Sequence, residues 1–360
     1  MLQPLRSYAF VLAVVAMAGC AEESEPVARL EQAVRHHPTP VVFDNDMDFD
    51  DTAALAYLAR LHKAGAIDLR LVSITSAGAG LPGRAIRHAR CLMQQLGIGD
   101  VPVVDSTTPG VNPFPDLLRF TIDLVLFDLT STCTASSAHS EVPAERAIID
   151  AIEASHDKVT LLVTGPATNV SRALALAADE GRDLAVRVDH VSMQGGAIGV
   201  PGGLCCGLDM IFDNTATFNL WADPPAVQAL LDGFQHVTLV GENATVNVPI
   251  RPAFVARLQA EGETPEARWV AALGAHPVLK AAIAAGLPVF WWDPLMTVTT
   301  IEEGLAKFDS KWIRIVQSGP SSGRTLEVNS SEGRKIQFAV DADGATFEDA
   351  FFAGLNTSIP

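Results

Sequence analysis

The residues best able to do chemistry in this 360-residue chain are five aspartates that lie within eight residues of one another. They follow a short apolar run and are Asp44, Asp46, Asp48, Asp50 and Asp51. Like charges at this density repel and raise one another's pKa unless a positive charge is bound among them. Ca²⁺ and Mg²⁺ prefer carboxylate oxygens to softer ligands. The spacing therefore predicts a site for a hard divalent cation.

A strand and a helix are expected to position these acids. The apolar run Val41–Phe43 predicts a buried strand, and Thr52–Arg60 is rich in helix-forming residues. The acids then lie at the carboxyl end of a strand, where α/β proteins keep their sites. Further along, strand-like runs alternate with amphipathic segments, which is typical of a parallel sheet with crossover helices. The predicted fold class is α/β, with a Rossmann-like, mostly parallel sheet and flanking helices.

The later elements are predicted from the same alternation. Strands are expected at Leu69–Thr75, Val101–Val104, Val159–Val163, His190–Met193 and His236–Val240. Helices are expected around residues 83–96, 142–156, 167–178 and 223–232. Near the end, Trp312–Val316 and Lys335–Val340 predict a late β-hairpin or meander, and Thr346–Leu355 predicts a closing helix.

An export signal is predicted at the amino terminus. Arg6 gives a weakly basic start, Ala9–Ala18 is apolar, and Met17–Cys20 resembles a bacterial lipobox, whose cysteine is acylated. The apolar stretch is too short for a membrane span, and an uncleaved signal anchor is the alternative. We therefore expect an exported protein that Cys20 anchors by lipid to the bacterial envelope, at the periplasmic side of the outer membrane or at the cell surface.

One folded domain is expected after the leader. With 48% hydrophobic residues, the chain can bury a large core. A segment rich in Glu precedes that domain and predicts a flexible tether. The expected organisation is a signal peptide at residues 1–20, a tether at residues 21–37 and a single domain at residues 38–360.

The net charge of −17 limits the partners of the protein. Nucleic acid is not expected, because no basic stripe is present to displace counterions from phosphates. A small neutral molecule or a bound cation suits the charge better. Membrane contact is expected only through the lipid, and the sequence leaves a homo-oligomer open.

Four cysteines remain after the lipobox, and none has a spacing typical of a zinc site. Adjacent cysteines do not readily bridge each other. In an oxidising compartment, Cys133 is instead a candidate to pair with Cys205 or Cys206.

The acidic run has three interpretations: a solvated loop, an EF-hand loop or an enzyme site. The EF-hand is excluded, because Phe49 occupies the position of the required Gly and Leu55 that of the bidentate Glu. As an enzyme site, a strand ending in Asp-x-Asp resembles the nucleophile motif of haloacid-dehalogenase-type phosphatases. Asp-x-Asp followed four residues later by Asp-Asp instead resembles the amino-terminal motif of nucleoside hydrolases.

Four later stretches favour nucleoside hydrolases, the N-ribosyl hydrolases of the inosine/uridine-preferring type. Thr160–Val170 resembles the strand ending in Thr-Gly-Pro-Leu-Thr-Asn, and Met193–Gly196 resembles the Met-Gly-Gly strand end. Ala216–Pro224 resembles Ala-Glu-Phe-Asn-Ile-Trp-x-Asp-Pro, and Trp292–Leu295 is similar to His-Asp-Pro-Leu. The phosphatase fits less well, because Met47–Asp48 does not supply the residue that should follow its Asp-x-Asp motif.

The resemblance implies Ca²⁺-dependent hydrolysis of the N-glycosidic bond of a ribonucleoside or related N-riboside. The implied ligands of the ion are the side chains of Asp46, Asp51 and Asp293 and the carbonyl of Thr164. Asp46 would also take the proton of the attacking water as general base. The residues implied in substrate binding are Asp50, Asn219, Met193 and Trp292. Asp44 would orient the ligands from behind.

Departures from the family pattern keep a second class of function open. Met47–Asp48 replaces the usual Pro-Gly, so the acidic loop must turn without glycine. Ala79 and Thr217 replace an amide and a carboxylate that contact ribose, and Trp292 replaces a His that protonates the leaving base in some members. The alternative is a non-catalytic relative that binds ribose or nucleosides, with the phosphatase third. The base preference is left open.

Overall fold

The computed structural model describes residues 38–205 and 207–359. The predicted signal peptide and tether, with Cys20, lie outside these residues, and so does Cys206. Among the described residues, no helix combines the length and the apolar character that crossing a membrane requires.

A nine-stranded sheet forms the centre of the protein. Its strands are β1 (Thr39–Asn45), β2 (Ile67–Ile74), β3 (Val103–Asp105), β4 (Val159–Val163), β5 (Val188–Gln194), β6 (Val237–Val240), β7 (Ala306–Ile315), β8 (Thr325–Glu327) and β9 (Arg334–Ala342). They lie in the order β3-β2-β1-β4-β5-β6-β9-β7-β8. The pairs from β3 to β9 are parallel, whereas β7 is antiparallel to both β8 and β9. The α/β class with a late antiparallel meander is confirmed.

The helices flank this sheet. They are α1 (Phe49–Lys63), α2 (Ala85–Gln95), α3 (Asp116–Leu129), α4 (Ala144–Glu153), α5 (Thr168–Asp179), α6 (Phe218–Ala222), α7 (Pro224–Gly233), α8 (Glu242–Thr245), α9 (Pro252–Glu261), α10 (Pro265–Gly274), α11 (Pro277–Ala284), α12 (Trp292–Ile301) and α13 (Gly344–Leu355).

Strand β1 lies inside the parallel part of the sheet, paired with β2 on one side and β4 on the other. Its successive side chains point to opposite faces, so Val42 and Phe43 belong to different apolar clusters. Each face of the sheet is therefore covered by its own hydrophobic layer. The acidic residues of β1 and of the loop after it begin at Asp44, where the strand leaves these layers.

Helix α1 begins within the acidic run. The N–H of Phe49 donates to the Asp48 carboxylate over 2.6 Å, and the N–H of Asp48 donates to the Asp51 carboxylate over 2.7 Å. This reciprocal capping box satisfies amides that the first turn would otherwise leave unpaired. Two of the five acids therefore fix the start of the helix.

The predicted elements agree with the structure in place and differ mainly at their ends. Strand β4 matches its prediction residue for residue. Helices α3 and α6 and the helices from α8 to α12 were not predicted. Three of these start with a proline at the first helical position, namely Pro252, Pro265 and Pro277. This is a recognised start signal that the sequence does contain.

A disulfide joins Cys91 of α2 to Cys133, with the two Cα atoms 5.7 Å apart. The predicted pairing of Cys133 with Cys205 or Cys206 is therefore wrong. Helix α3 lies beside α2, where the buried His88 ring contacts the Asp123 carboxylate over 2.9 Å. That packing brings the residues after α3 back to α2 and so brings the two cysteines together.

Candidate active site

The acids predicted to hold the metal come together at the carboxyl end of β1. Asp46, Asp50 and Asp51 follow this strand, and Asp293 reaches them from the first turn of α12. Each exposes at most 4% of its surface. The main-chain N–H of Asp293 donates to the Asp50 carboxylate over 3.1 Å and links two segments that are 243 residues apart. The fold thus builds one site from the first and the last of the predicted motifs.

Hydrogen bonds run through this group of acids. The side chains of Asp46 and Asp51 lie close enough to affect each other's pKa, and the hydroxyl of Thr164 donates to Asp51. The N–H of Ala79 donates to the Asp46 carboxylate over 2.7 Å. The carboxyl groups therefore gather at one place, where a cation could lie.

Three glycines on two backbone segments allow those segments to close around Asp46. A Cβ atom at Gly78 would lie 1.8 Å from the Oδ2 of Asp46, and one at Gly80 would lie 2.3 Å from its carbonyl oxygen. A Cβ atom at Gly165 would lie 2.9 Å from the Cβ of Asp46. Contacts this close exclude any larger residue without movement of the backbone. Asp46 is therefore held between these two segments.

The loop between the acids turns at Met47, which has a φ of 57° and is the one non-glycine residue with positive φ among those described. Its N–H donates to the side chain of Asn45 over 3.1 Å, and its side chain is buried with Ile74 and Phe114. The left-handed conformation costs a non-glycine residue about 1–2 kcal/mol. Burial of an apolar side chain of this size contributes about 2 kcal/mol. The expectation that the loop turns without glycine is confirmed.

Asn219 and Thr164 meet beside the acids. The side-chain amide of Asn219 donates to the Thr164 carbonyl over 2.5 Å and to the Oε1 of Gln194 over 2.8 Å. These contacts join the ends of β4 and β5 to α6. The carbonyl of Thr164 thus faces a polar neighbour next to Asp51. Gln194 lies within the Met193–Gly196 motif, yet the sequence did not single it out as a site residue.

Burial raises the pKa of every acid in this group. The pKa of Asp50 rises to about 7, because desolvation disfavours the charged form and Asp46 repels it. The pKa values of Asp51 and Asp293 lie well above the usual range for the same two reasons, and the pKa of Asp46 is raised mainly by burial. The guanidinium of Arg119 opposes this effect at Asp46. The acids therefore favour any ligand that brings positive charge.

The donor set fits a hard divalent cation, since it consists of carboxylates and one main-chain carbonyl. In the part of the chain that the structure describes, no three acidic, histidine or cysteine side chains already form a metal-coordinating group. The carboxyl groups accept hydrogen bonds from main-chain amides and from the hydroxyl of Thr164.

The sequence between β1 and α13 matches a known family. Residues 41–349 match the family described as inosine-uridine preferring nucleoside hydrolase. The chain belongs to this family. It is accordingly an N-glycosyl hydrolase, and its family and fold support hydrolysis of the N-glycosidic bond of ribonucleosides.

Several relatives resemble this nucleoside hydrolase over most of their length. The pyrimidine-specific ribonucleoside hydrolase RihA of Shewanella oneidensis is 28% identical over 244 residues, which span 65% of this chain and 68% of the relative. RihA of Klebsiella pneumoniae is 26% identical over 233 residues, 62% of this chain and 66% of the relative. The inosine-uridine preferring nucleoside hydrolase of Bacillus anthracis has the same fold, with a TM-score of 0.73, 24% identity and coverage of 89% of this chain and 100% of that structure.

Asp44 of the nucleoside hydrolase lies behind the other acids and is fully buried. Its carboxylate accepts a hydrogen bond from the side chain of Asn169 over 2.9 Å, and Asn169 also donates to the hydroxyl of Ser73. Burial raises the pKa of Asp44 to about 7, although hydrogen bonds from Ser73 and Asn169 act in the opposite direction. Its position suits the orienting role, which stays a prediction.

Met193 and Trp292 occupy different surroundings. Met193 is fully buried in the apolar cluster that contains Leu220, while the next residue, Gln194, contacts Asn219. Trp292 is half-buried, and its ring lies 6.2 Å from that of Phe49, centroid to centroid. The proposed contacts of Met193 and Trp292 with substrate stay predictions.

Thr217 and Ala79, which stand where the family has ribose-binding residues, make structural hydrogen bonds here. The hydroxyl of Thr217 accepts a hydrogen bond from the N–H of Gly196 over 3.0 Å, which holds the end of β5. The main chain of Ala79 keeps its bond to Asp46, although the side chain carries no amide. The changes therefore remove side-chain polar groups and leave the backbone around the acids in place.

One buried acid near this site was not found from the sequence. Glu242 is 8% exposed, and its Oε1 accepts a hydrogen bond from the Nε1–H of Trp292 over 3.2 Å. No motif marks it. The available signal is its position just after the apolar run of β6, with Gly241 between them, as Asp44 follows the apolar run Val41–Phe43.

Proposed function

We propose that this protein cleaves ribonucleosides to free base and ribose with the help of Ca²⁺. The ion would be held by the side chains of Asp46, Asp51 and Asp293 and by the carbonyl of Thr164. When bound, it would lower the pKa of a water molecule and orient that water towards the ribose. The observation that carries the proposal is the group of buried carboxylates. Burial raises their pKa values, repulsion among the acids adds to this effect at Asp51 and Asp293, and a bound cation would stabilise their charged forms.

Asp46 is the proposed general base. It lies between the chain segments that follow β2 and β4, and Gly78, Gly80 and Gly165 hold it in place. A carboxylate within hydrogen-bond reach of the attacking water accepts its proton as the bond to the ribose carbon forms. The fixed position of Asp46 supports this role, because a base that is already oriented loses little entropy in the transition state.

The neighbouring acids are proposed to bind ribose and to stabilise its developing charge. One oxygen of Asp50 accepts from the N–H of Asp293, which leaves the other for a ribose hydroxyl. Asn219 is held at the same edge of the sheet, with its side-chain amide donating to Thr164 and Gln194. Cleavage of an N-glycosidic bond builds positive charge on the ribose, so carboxylates stabilise the transition state more than the neutral substrate.

The substrates proposed for testing come from the relatives and from the resemblance. RihA of Shewanella oneidensis is named pyrimidine-specific, and the Bacillus anthracis structure is named inosine-uridine preferring. We therefore propose uridine, cytidine and inosine as the first panel, assayed for free base and reducing sugar. Release of both products from at least one of them is the expected result, and release from none contradicts the proposed hydrolase.

The lipid anchor on Cys20 remains part of the proposal, with the folded domain of residues 38–360 exported and held at the envelope. Cys20→Ser should move the protein from the membrane fraction to the soluble fraction without changing kcat, because the tether is separate from the catalytic domain. Fractionation followed by nucleosidase assay measures both effects. Ser24→Ala, a change in the tether, is the control that should stay in the membrane fraction. Retention of the Cys20→Ser protein would instead indicate an uncleaved anchor.

A further inference from the structure

Glu242 is a buried carboxyl group at the same edge of the sheet as the catalytic acids. It follows β6 with Gly241 between them, and β6 is parallel to β5, whose end carries Gln194. Its Oε2 accepts from the hydroxyl of Thr245 over 3.2 Å, and its Oε1 accepts from the ring N–H of Trp292 over 3.2 Å. Both partners are neutral, so the carboxyl group has no ion-pair partner among the contacts that the structure gives it.

Through its contact with Trp292, Glu242 lies near the residues proposed to bind the substrate. Trp292 directly precedes Asp293, whose N–H donates to Asp50. The Trp292 ring also lies edge-on to Phe49, the residue that precedes Asp50, with centroids 6.2 Å apart. An aromatic wall next to the proposed ribose ligands is where a planar base can stack. Glu242 therefore lies one side chain away from the proposed position of the base.

The backbone around Glu242 is fixed by close contacts. A Cβ atom at Gly241 would lie 1.9 Å from the carbonyl oxygen of Gly196, and the N–H of Glu242 donates to that same oxygen over 2.9 Å. The side chain of Asn243 exchanges two hydrogen bonds with the main chain of Ile198. The carboxyl group is thus held on a fixed segment that follows β6 and is bonded to the loop after β5, as a group that transfers a proton must be.

We propose that Glu242 is the acid that protonates the departing base, with Trp292 positioning its carboxyl group. This inference rests on the proposed nucleoside hydrolysis. As the bond between the ribose carbon and the base nitrogen breaks, its electron pair goes to the base, and Glu242 gives the base a proton. Water supplies the oxygen on the ribose carbon and gives its proton to Asp46. To complete the cycle, Glu242 takes a proton from solvent and Asp46 releases its proton to solvent.

The electrostatic surroundings support this role. Burial raises the pKa of Glu242 to about 7, against the lowering effect of the hydrogen bonds from Thr245 and Trp292. The neighbouring elements carry Asp293 at the start of α12, and Asp341 of β9, which pairs with Lys307. A carboxyl group with this pKa holds a proton on a large fraction of molecules near neutral pH, which a general acid requires.

The test compares two leaving groups. Nucleosides need a proton on the departing base, whereas 4-nitrophenyl β-D-ribofuranoside releases a stable anion and does not. Glu242→Gln keeps the shape and the acceptor for Trp292 but cannot donate as an acid. It should lower kcat for inosine or uridine by about 100-fold, the lower end of the usual contribution of general acid catalysis, and leave kcat for the nitrophenyl riboside within about threefold. Glu303→Gln, an exposed site after α12, is the matched control.

A second variant separates positioning from structure. Trp292→Phe keeps an aromatic ring and removes the N–H that holds Glu242, so it should lower nucleoside turnover by less than Glu242→Gln and again spare the nitrophenyl substrate. Equal losses on both substrates in Glu242→Gln would show a structural role and overturn the inference, as would an unchanged nucleoside rate. A wild-type protein that cleaves the nitrophenyl riboside but no nucleoside also overturns it. A wild-type protein that cleaves neither substrate contradicts the proposed hydrolysis itself, and this inference falls with it.

Discussion

Replacement of Asp46 by Asn is expected to lower kcat for nucleoside hydrolysis by about 10³-fold or more, which steady-state release of reducing sugar measures. The amide keeps the size of the side chain and one oxygen for a cation. It cannot accept the proton of the attacking water, and it carries no charge to stabilise the developing positive charge on ribose. Binding of ribose and binding of Ca²⁺ should therefore weaken far less than turnover does.

A remote substitution of the same kind provides the control. Asp100→Asn changes an exposed acid in the turn between α2 and β3 and should leave kcat and KM unchanged. The opposite pattern would favour the non-catalytic relative. In that case the wild-type protein would bind ribose in calorimetry, would hydrolyse none of the nucleosides tested, and would be indistinguishable from Asp46→Asn.

Removal of the metal is expected to abolish turnover and to lower Tm by about 5–10 °C. The acids would then lie buried together without a balancing charge, and a ligand present at about 1,000 times its Kd stabilises the native state by about 4 kcal/mol. In a domain of this size, each kcal/mol of unfolding free energy changes Tm by about 2 °C. Thermal melting with excess chelator, followed by addition of Ca²⁺ or Mg²⁺, measures the effect and shows which ion restores it.

A variant of a proposed ligand provides the control for this experiment. Asp293→Asn removes one charge from the group and should lose most of the response of Tm to Ca²⁺, because fewer carboxylates then face the ion. If melting and turnover of the wild-type protein are unchanged in excess chelator, the metal proposal is wrong, whatever the variant does.

The parallel strands were predictable because strands buried on both faces leave continuous apolar runs. Val159–Val163 is such a run, and the structure reproduces it as β4. The helices between residues 242 and 301 lack this signal, because they are only four to ten residues long and some bury few apolar side chains. Their prolines were the better guide, because Pro at the first helical position removes no hydrogen bond.

The site was predictable where its residues lie within motifs and unpredictable where only the fold brings them in. Asp46 and Asp293 were both named from sequence, and the structure places them in one buried group. Glu242 has no motif, and its burial depends on the packing of β5, β6 and α12. The Cys91–Cys133 disulfide was missed for a related reason, since the position of Cys133 depends on helix α3, which was not predicted.

The left-handed backbone at Met47 has a consequence for how members of this family are recognised. A signature that demands Pro-Gly directly after the second acid rejects this chain, which has Met47–Asp48 there, although its acids still gather in one buried group. This chain makes the turn with a left-handed backbone at Met47, a conformation that a methionine adopts here because its side chain is well packed. A search pattern that encodes the conformation tolerated at each position, rather than the commonest residue, would retain such members.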